Sequence, residues 1–403
     1  MGSDMPNVQL NLFDTKSLSE ISNQMVFADV RLNPILKWPG GKSGELSMIR
    51  PHLPDTIDRY FEPFLGGGAV FLSISPRIPA FVNDKSTDLI DLYRNIATEN
   101  ADFFAMLHEI KQNWQLLETI ADGNQQEFFR IYRDYTAVKL NEEDMKKAVN
   151  AVVCSNEHDL RKILSRMLSY NQKHFFEEVD ANLVNKITRM CTIEKSRGQL
   201  PESDIIDNIE GAIKSAFYMH LRYLYNHAST YEIHPPYLNA MFFFIRENAY
   251  ASMFRFNSQG KFNVPYGGIS YNRKEIGEKI ERMRNPLLLK RLQTSIIENI
   301  DFLEFFKKHP TQPGDFVFLD PPYDTDFSDY DQNSFTKTDQ ARLADYLIGQ
   351  CKANFMLVIK ATDYILSLYE DRGLNIHVFD KKYMWTIKER NIRDVTHLMI
   401  MNY

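Results

Sequence analysis

The spacing of apolar positions changes character twice along the chain. Between residues 32 and 98 short hydrophobic runs alternate with polar, glycine-bearing turns: Ile57 to Phe64 reads as an extended segment ending in a glycine cluster, and Ala80 to Val82 as a strand ending at Asn83-Asp84. Brief strands alternating with helical stretches predict an α/β layer. From about 100 to 250 the hydrophobes recur every three or four positions with few glycines or prolines, which predicts helices. The clearest starts after Pro201, with Ser203 as N-cap, and carries Ile205, Ile209, Ile213, Phe217 and Leu221 at i, i+4 spacing, a stripe that core packing explains by itself. Asn257 to Ile269 is polar, glycine-rich and proline-containing, so a turn or hairpin is expected there. The α/β pattern resumes in strands at Phe316 to Leu319 and Phe355 to Ile359, with a helix from about Lys337 to Cys351 between them. The expected architecture is therefore a discontinuous α/β domain, 32–99 and 296–403, carrying a mainly helical insertion over 100–295, with residues 1–31 as a loose arm.

Composition narrows the class. With 403 residues, 44% hydrophobic and 25% charged, the chain has the apolar content to bury a core, and a wholly disordered chain is excluded. Cys154, Cys191 and Cys351 are too few and too scattered for a disulfide framework or a zinc cluster, and read as reduced thiols of a cytoplasmic protein. Runs such as Met241 to Ile245 fall far short of the roughly 18 to 20 residues that cross a bilayer, and the first thirty residues lack the charged start and apolar block of a secretory signal. A net charge of -6 argues against coating nucleic acid by bulk charge. Local patches remain: nine basic residues against three acidic ones from Arg255 to Arg291, and Lys381, Lys382, Lys388, Arg390 and Arg393 against Glu389. Solvated helix faces would give the same pattern.

Three motifs carry candidate chemistry. Glu62-Pro63-Phe64-Leu65-Gly66-Gly67-Gly68 follows a strand and precedes the helix-like run Ala69 to Leu72, and its glycines let backbone approach a ligand. Asp84 stands 22 positions after Glu62, at the end of the next strand, where doubly wound folds keep an acid for ribose hydroxyls; a tight turn and a helix cap are the plain alternative. Asp320-Pro321-Pro322-Tyr323 follows the strand Phe316 to Leu319. Its prolines remove two amide donors, leaving carbonyls and a carboxylate as acceptors. A planar exocyclic amine fits there, one hydrogen on Asp320 and one on the Pro321 carbonyl, with Tyr323 as a stacking face. His234-Pro235-Pro236-Tyr237 shares the Pro-Pro-Tyr but lacks the carboxylate and reads as a helix start. In Lys37-Trp38-Pro39-Gly40-Gly41-Lys42 an indole for a cation and lysines for a carboxylate suit a sulfonium amino acid, though an ordinary turn with Trp38 in the core is equally consistent.

Taken in order, these motifs together with Phe254-Arg255-Phe256-Asn257-Ser258-Gln259-Gly260-Lys261-Phe262-Asn263-Val264-Pro265-Tyr266-Gly267 resemble the Dam-type (D12 class, α group) DNA N6-adenine methyltransferases, over about 32–98 and 250–403. The resemblance implies a Rossmann-like methyltransferase fold with a helical target-recognition domain and a site-specific transfer of methyl from S-adenosylmethionine to a flipped adenine in duplex DNA. It assigns the cofactor to Trp38, Lys42, Glu62, Phe64, Gly66, Gly68, Asp84 and Asp320, and the flipped base to Asp320, Pro321, Pro322 and Tyr323. DNA contacts fall on Lys37, Arg255, Asn257, Lys261, Asn263, Pro265 and Arg273, in a hairpin near 254–273. No metal is needed. The implied partners are double-stranded DNA and a cognate restriction endonuclease that activity does not require; a monomer and no membrane association are expected. Methylation of cytosine N4 or of RNA shares the tetrapeptide, and a non-catalytic DNA-binding protein of the same fold remains the third reading. The target sequence does not transfer, because Gly267 to Arg273 departs from the GATC-methylating members.

Overall fold

The computed structural model describes residues 26–27, 32–164, 168–272, 276–323, 335–381 and 395–403. Among these residues seven strands form one sheet: β1 (Tyr60–Glu62), β2 (Ala80–Asn83), β3 (Ser295–Glu298), β4 (Phe316–Leu319), β5 (Asn354–Lys360), β6 (Asn375–Lys381) and β7 (Val395–Met401), in the order β3-β2-β1-β4-β5-β7-β6. The first five are mutually parallel, and β7 runs antiparallel between β5 and β6. Parallel strands are buried on both faces, and β1 and β4 have no exposed position. Alternation splits their side chains between two cores. Tyr60, Phe316 and Phe318 enter one, while Phe61, Val317 and Leu319 enter the other.

The helices are α1 (Leu46–Ile49), α2 (Thr87–Ala97), α3 (Ala101–Gly123), α4 (Gln125–Thr136), α5 (Glu142–Ser155), α6 (Glu157–Ile163), α7 (Gln172–Arg197), α8 (Glu202–Asn226), α9 (Pro235–Asn248), α10 (Ile276–Met283), α11 (Pro286–Gln293), α12 (Phe302–Lys308), α13 (Lys337–Gly349) and α14 (Asp363–Tyr369). Helices α2 to α11 lie between β2 and β3 in the chain and supply most of the first core, whereas α12, α13 and α14 cover the opposite face. None of the described helices is long and apolar enough to cross a membrane.

Several expectations shift. The first strand is only Tyr60–Glu62, because Pro63 and the glycines that follow cannot extend a ladder. Ala69 to Leu72 is no helix but leads into a 3-10 turn, Phe71–Ser73. The stripe Ile205 to Leu221 is buried on α8 as its period requires, yet that helix begins at Glu202 behind Pro201, not at a Ser203 cap. Pro235 and Pro236 do open a helix, α9, where their missing N–H groups cost nothing.

Candidate active site

The strand order reverses between β1 and β4, and in open α/β sheets ligands bind outside the carboxyl ends of the strands at such a point. Glu62 ends β1 and Asp320 follows β4, so the two motif segments emerge side by side. They line a cavity of about 380 Å³ together with Trp38, Lys42, Phe64, Gly66, Gly68, Asp84, Pro321, Pro322 and Tyr323. Every residue assigned to cofactor or base by the resemblance therefore borders one space.

Hydrogen bonds fix the walls. Asn83, buried at the end of β2, donates to the carbonyls of Pro63 and Ile300, each at 3.1 Å, and accepts from the Ile300 amide at 3.0 Å, tying three strand ends together. Asp84 accepts from the Gly66 amide (2.8 Å) and the Ser86 amide (2.9 Å), so its carboxylate also braces the glycine loop. Gly66 and Gly68 have φ of +48° and +66°, and a Cβ on Gly66 would lie 3.0 Å from the Trp38 ring. The indole thus lies against the loop through a gap that only glycine leaves. Opposite, Phe64 stands 5.6 Å from Phe302 and 5.4 Å from Phe335, an aromatic wall. Arg342 of α13 bridges Asp339 (2.7 Å) and Asp301 (3.0 Å) at its rim.

Lys42 is only 3% exposed and sits on Asp320 at 2.5 Å, with the Gly40 carbonyl at 2.9 Å and the Tyr323 hydroxyl at 3.4 Å. An ammonium has three donors, and here all three have acceptors within the protein. The expectation that Lys42 takes a cofactor carboxylate thus meets a lysine already engaged with the Asp-Pro-Pro-Tyr segment. The Pro322 carbonyl accepts from the buried Gln340 at 2.9 Å, so Gln340 holds the second proline in place.

Glu62 is buried and accepts from the Tyr60 hydroxyl at 2.5 Å. Burial, reinforced by the nearby charge of Asp320 and opposed by the Tyr60 hydrogen bond, pushes its carboxyl up to about 8. A carboxyl raised in the folded state binds its proton more tightly there than in the unfolded chain. Its stabilising contribution is complete below the ordinary carboxylate value and is lost as pH rises through about 8. The stability of the wild type relative to Glu62→Gln should accordingly fall by on the order of 3 kcal/mol between pH 5 and pH 9. Urea unfolding at both pH values measures it, and a constant difference would mean that Glu62 ionises normally.

The second surface lies beside the cavity. Phe254 lines the cavity and packs on Trp38 at 5.4 Å, and the segment after it bends back on itself with Phe256 bridged to Phe262. Lys37, Arg255 and Pro265 are exposed. Asn257 is exposed, and its Oδ1 accepts from the amides of Gln259 (3.0 Å) and Lys261 (2.9 Å), which makes it the brace of the turn. Asn263 accepts from Arg255 Nε at 2.8 Å, and Lys261 reaches His227 at 3.0 Å. Arg273 lies outside the described residues, as do Lys382, Lys388, Arg390 and Arg393 and the side chain of Lys381. The basic stretch from Arg255 to Arg291 is not one face: Arg291 is 1% exposed and donates to the Ile78 carbonyl at 2.8 Å, and Lys279 pairs with Glu247. Arg291 and Lys279 are thus engaged by acceptors of the fold, and neither adds to an outward basic face.

Arg246 escaped the sequence reading. Buried on α9, it donates to the carbonyls of Met253 (2.9 Å) and Lys37 (3.1 Å) and lies 4.2 Å from the Phe254 ring centre. It locks the Lys37-Trp38 segment to the start of the hairpin. The signal was a lone arginine at the end of the apolar run Met241 to Ile245. Asp301 and Phe302, also missed, follow a strand whose only apolar residues are Ile296 and Ile297.

The profile of the D12 class N6 adenine-specific DNA methyltransferases matches residues 38–182 and 182–385, a span that takes in the helical block and every strand of the sheet except β7. The type II methyltransferase M.CviBI of Paramecium bursaria Chlorella virus NC1A is 26% identical over 378 residues, covering 92% of this chain and all of that protein. The type II methyltransferase M1.LlaDCHI of Lactococcus lactis subsp. cremoris is 24% identical over 93% of this chain and 96% of its own length. The DNA adenine methylase of Vibrio cholerae is 23% identical over 85% of this chain and 86% of its own. With its glycine loop and Asp-Pro-Pro-Tyr joined at one switch point and the family match running across nearly the whole sheet and helical block, the chain belongs to the D12 class of N6 adenine-specific DNA methyltransferases.

Proposed function

We propose that the protein transfers a methyl group from S-adenosylmethionine to N6 of an adenine flipped out of duplex DNA, at a defined sequence. The observation that carries this reading is the contact between Lys42 and Asp320, which joins the two motif segments across the cavity. The lining fits the cofactor: glycines permit close approach at Gly66 and Gly68, Phe64 with Phe302 and Phe335 suits an adenine ring, Asp84 suits ribose hydroxyls, and Trp38 suits a cationic sulfonium. When bound, S-adenosylmethionine supplies a methyl carbon already activated for attack. What the chain adds is position.

Asp320 and the Pro321 carbonyl accept the two N6 hydrogens and draw the lone pair out of conjugation with the ring. Tyr323 provides the stacking face, and Lys42 holds the Asp320 carboxylate at its station. Asp320 is also the first acceptor for the proton that N6 releases. Extrusion costs a few kcal/mol, because N6 is otherwise paired and stacked. Lys37, Arg255, Lys261 and Pro265, with Arg273 beyond them, belong on this reading to the DNA-facing surface, and the helical block over 100–295 serves as the scaffold of target recognition. The type II names of two relatives accord with a modification enzyme whose cognate endonuclease is not needed for chemistry. One copy of the chain holds every group named, so a monomer suffices.

Single-molecule sequencing of DNA from cells expressing the wild type or Asp320→Ala tests the reaction. A sequence motif modified at adenine only by the wild type is expected; modified cytosine instead, or none in either sample, would overturn it. For the DNA surface, Lys37→Ala and Arg255→Ala should each weaken binding and lower the slope of log affinity against log salt by about 0.9. Titrations of a fluorescent duplex at several salt concentrations provide the slopes, and unchanged slopes in both would remove those residues from the interface.

A further inference from the structure

We propose that His397 is a positioning residue for Tyr323: it hydrogen-bonds the tyrosine hydroxyl and thereby fixes the ring on which the target base stacks. The inference rests on the reading of Tyr323 given above. It follows from two hydrogen bonds that meet at the tyrosine hydroxyl. Lys42 Nζ lies 3.4 Å from Tyr323 Oη, and an ammonium can only donate, so the tyrosine oxygen is the acceptor there. The same oxygen lies 3.1 Å from His397 Nε2, so the one hydroxyl is held by two residues. Lys42 and His397 thus hold the Tyr323 hydroxyl between them.

The two are set in different parts of the fold. Lys42 belongs to the Trp-Pro-Gly-Gly-Lys turn, whereas His397 is fully buried on β7, paired with Lys360 of β5 on one side and Phe379 of β6 on the other. The Phe379 ring stacks on the imidazole at 5.7 Å and 28°, while the Tyr323 ring meets it edge-on at 5.6 Å. Tyr323 itself stands beyond the end of β4, where no ladder holds its backbone. The hydroxyl, gripped from both sides, therefore sets where the ring lies. A stacking face fixed in advance spares the bound base the cost of ordering it.

A double-mutant cycle separates this role from a merely structural one, since residues acting through one bond are not additive. Single-turnover methylation of unmethylated plasmid DNA with tritiated S-adenosylmethionine would be compared for the wild type, Tyr323→Phe, His397→Leu, the double variant and His397→Gln. Tyr323→Phe and His397→Leu are each expected to slow the reaction about tenfold. The double variant should be within about twofold of either, with DNA affinity within about threefold of wild type. His397→Gln, which can donate or accept a hydrogen bond, should recover to within about threefold of the wild-type rate. Tyr323→Phe leaves the core untouched, so it carries the test even where His397→Leu does not fold. A wild-type rate in Tyr323→Phe, or multiplied losses in the double variant, would overturn the proposal. Asp320→Ala run alongside keeps the two levels apart. If it methylates normally the site reading fails, and if it is inactive while the cycle is additive only the role of His397 fails.

Discussion

Asp320→Ala is expected to slow methyl transfer about a thousandfold while changing DNA affinity by no more than about threefold. The asymmetry follows from where the carboxylate stands. It lies at the mouth of β4, 19% exposed and against the cavity, away from the exposed Lys37 and Arg255 that face the duplex on our reading. Its loss removes the acceptor for one N6 hydrogen and leaves nothing to draw the lone pair toward the methyl carbon. It also strands Lys42, whose ammonium is nearly inaccessible; breaking a buried pair costs about 3 to 5 kcal/mol. Lost rate and lost stability would then be confounded. Asp320→Asn separates them, because it keeps the volume and one oxygen for Lys42 but gives up the charge and points two new donors at an amine that also donates. It should retain most of the thermal midpoint and still lose on the order of a hundredfold in single-turnover rate. A rate for Asp320→Asn within about fivefold of wild type would show that the charge does not drive the reaction.

The residues legible in the sequence were those whose position follows from strand ends. In a parallel sheet the carboxyl ends point one way, so Glu62 to Gly68 after β1, Asp84 after β2 and Asp320 to Tyr323 after β4 had to meet once their strands were recognised. β3 escaped because Ser295–Glu298 offers two apolar residues in the wake of a helix, and β6 because it forms the sheet edge, where half-exposed positions such as Val378 blur the alternation. The contacts that give the site its electrostatics were invisible for a different reason. Lys42 and Asp320 are 278 positions apart, Tyr323 and His397 74, and Arg246 and Lys37 209. No local pattern encodes such pairs. That is why the sequence shows the chemistry of Lys42 without showing that Asp320 stands beside it.

Gly68→Ala should weaken S-adenosylmethionine binding by more than tenfold and destabilise the fold by about 2 to 3 kcal/mol, whereas Gly67→Ala, one position earlier, should do little. Two costs coincide at Gly68. Its φ of +66° is one that side chains adopt at about 1 to 2 kcal/mol, and a Cβ there would lie 2.9 Å from the hydroxyl of Tyr93. That tyrosine cannot simply swing aside. It is 1% exposed, sits on α2 within the core, and donates to the Gly66 carbonyl at 3.2 Å. Moving it releases the carbonyl of the residue whose amide Asp84 holds, so the disturbance runs from Gly68 through Tyr93 to Gly66 and Asp84, along the edge assigned to the cofactor. At Gly67 the conformation is ordinary and the nearest atoms to a Cβ are 3.4 Å away, so an alanine fits with little adjustment. Calorimetric titration of S-adenosylmethionine and thermal unfolding of both variants measure the contrast. Equal losses at the two positions would mean that the loop tolerates no side chain anywhere, and the specific path through Tyr93 would have to be given up. A Gly68→Ala protein that is destabilised yet binds the cofactor normally would instead detach the glycine loop from cofactor binding, leaving it a purely structural turn between β1 and the first core.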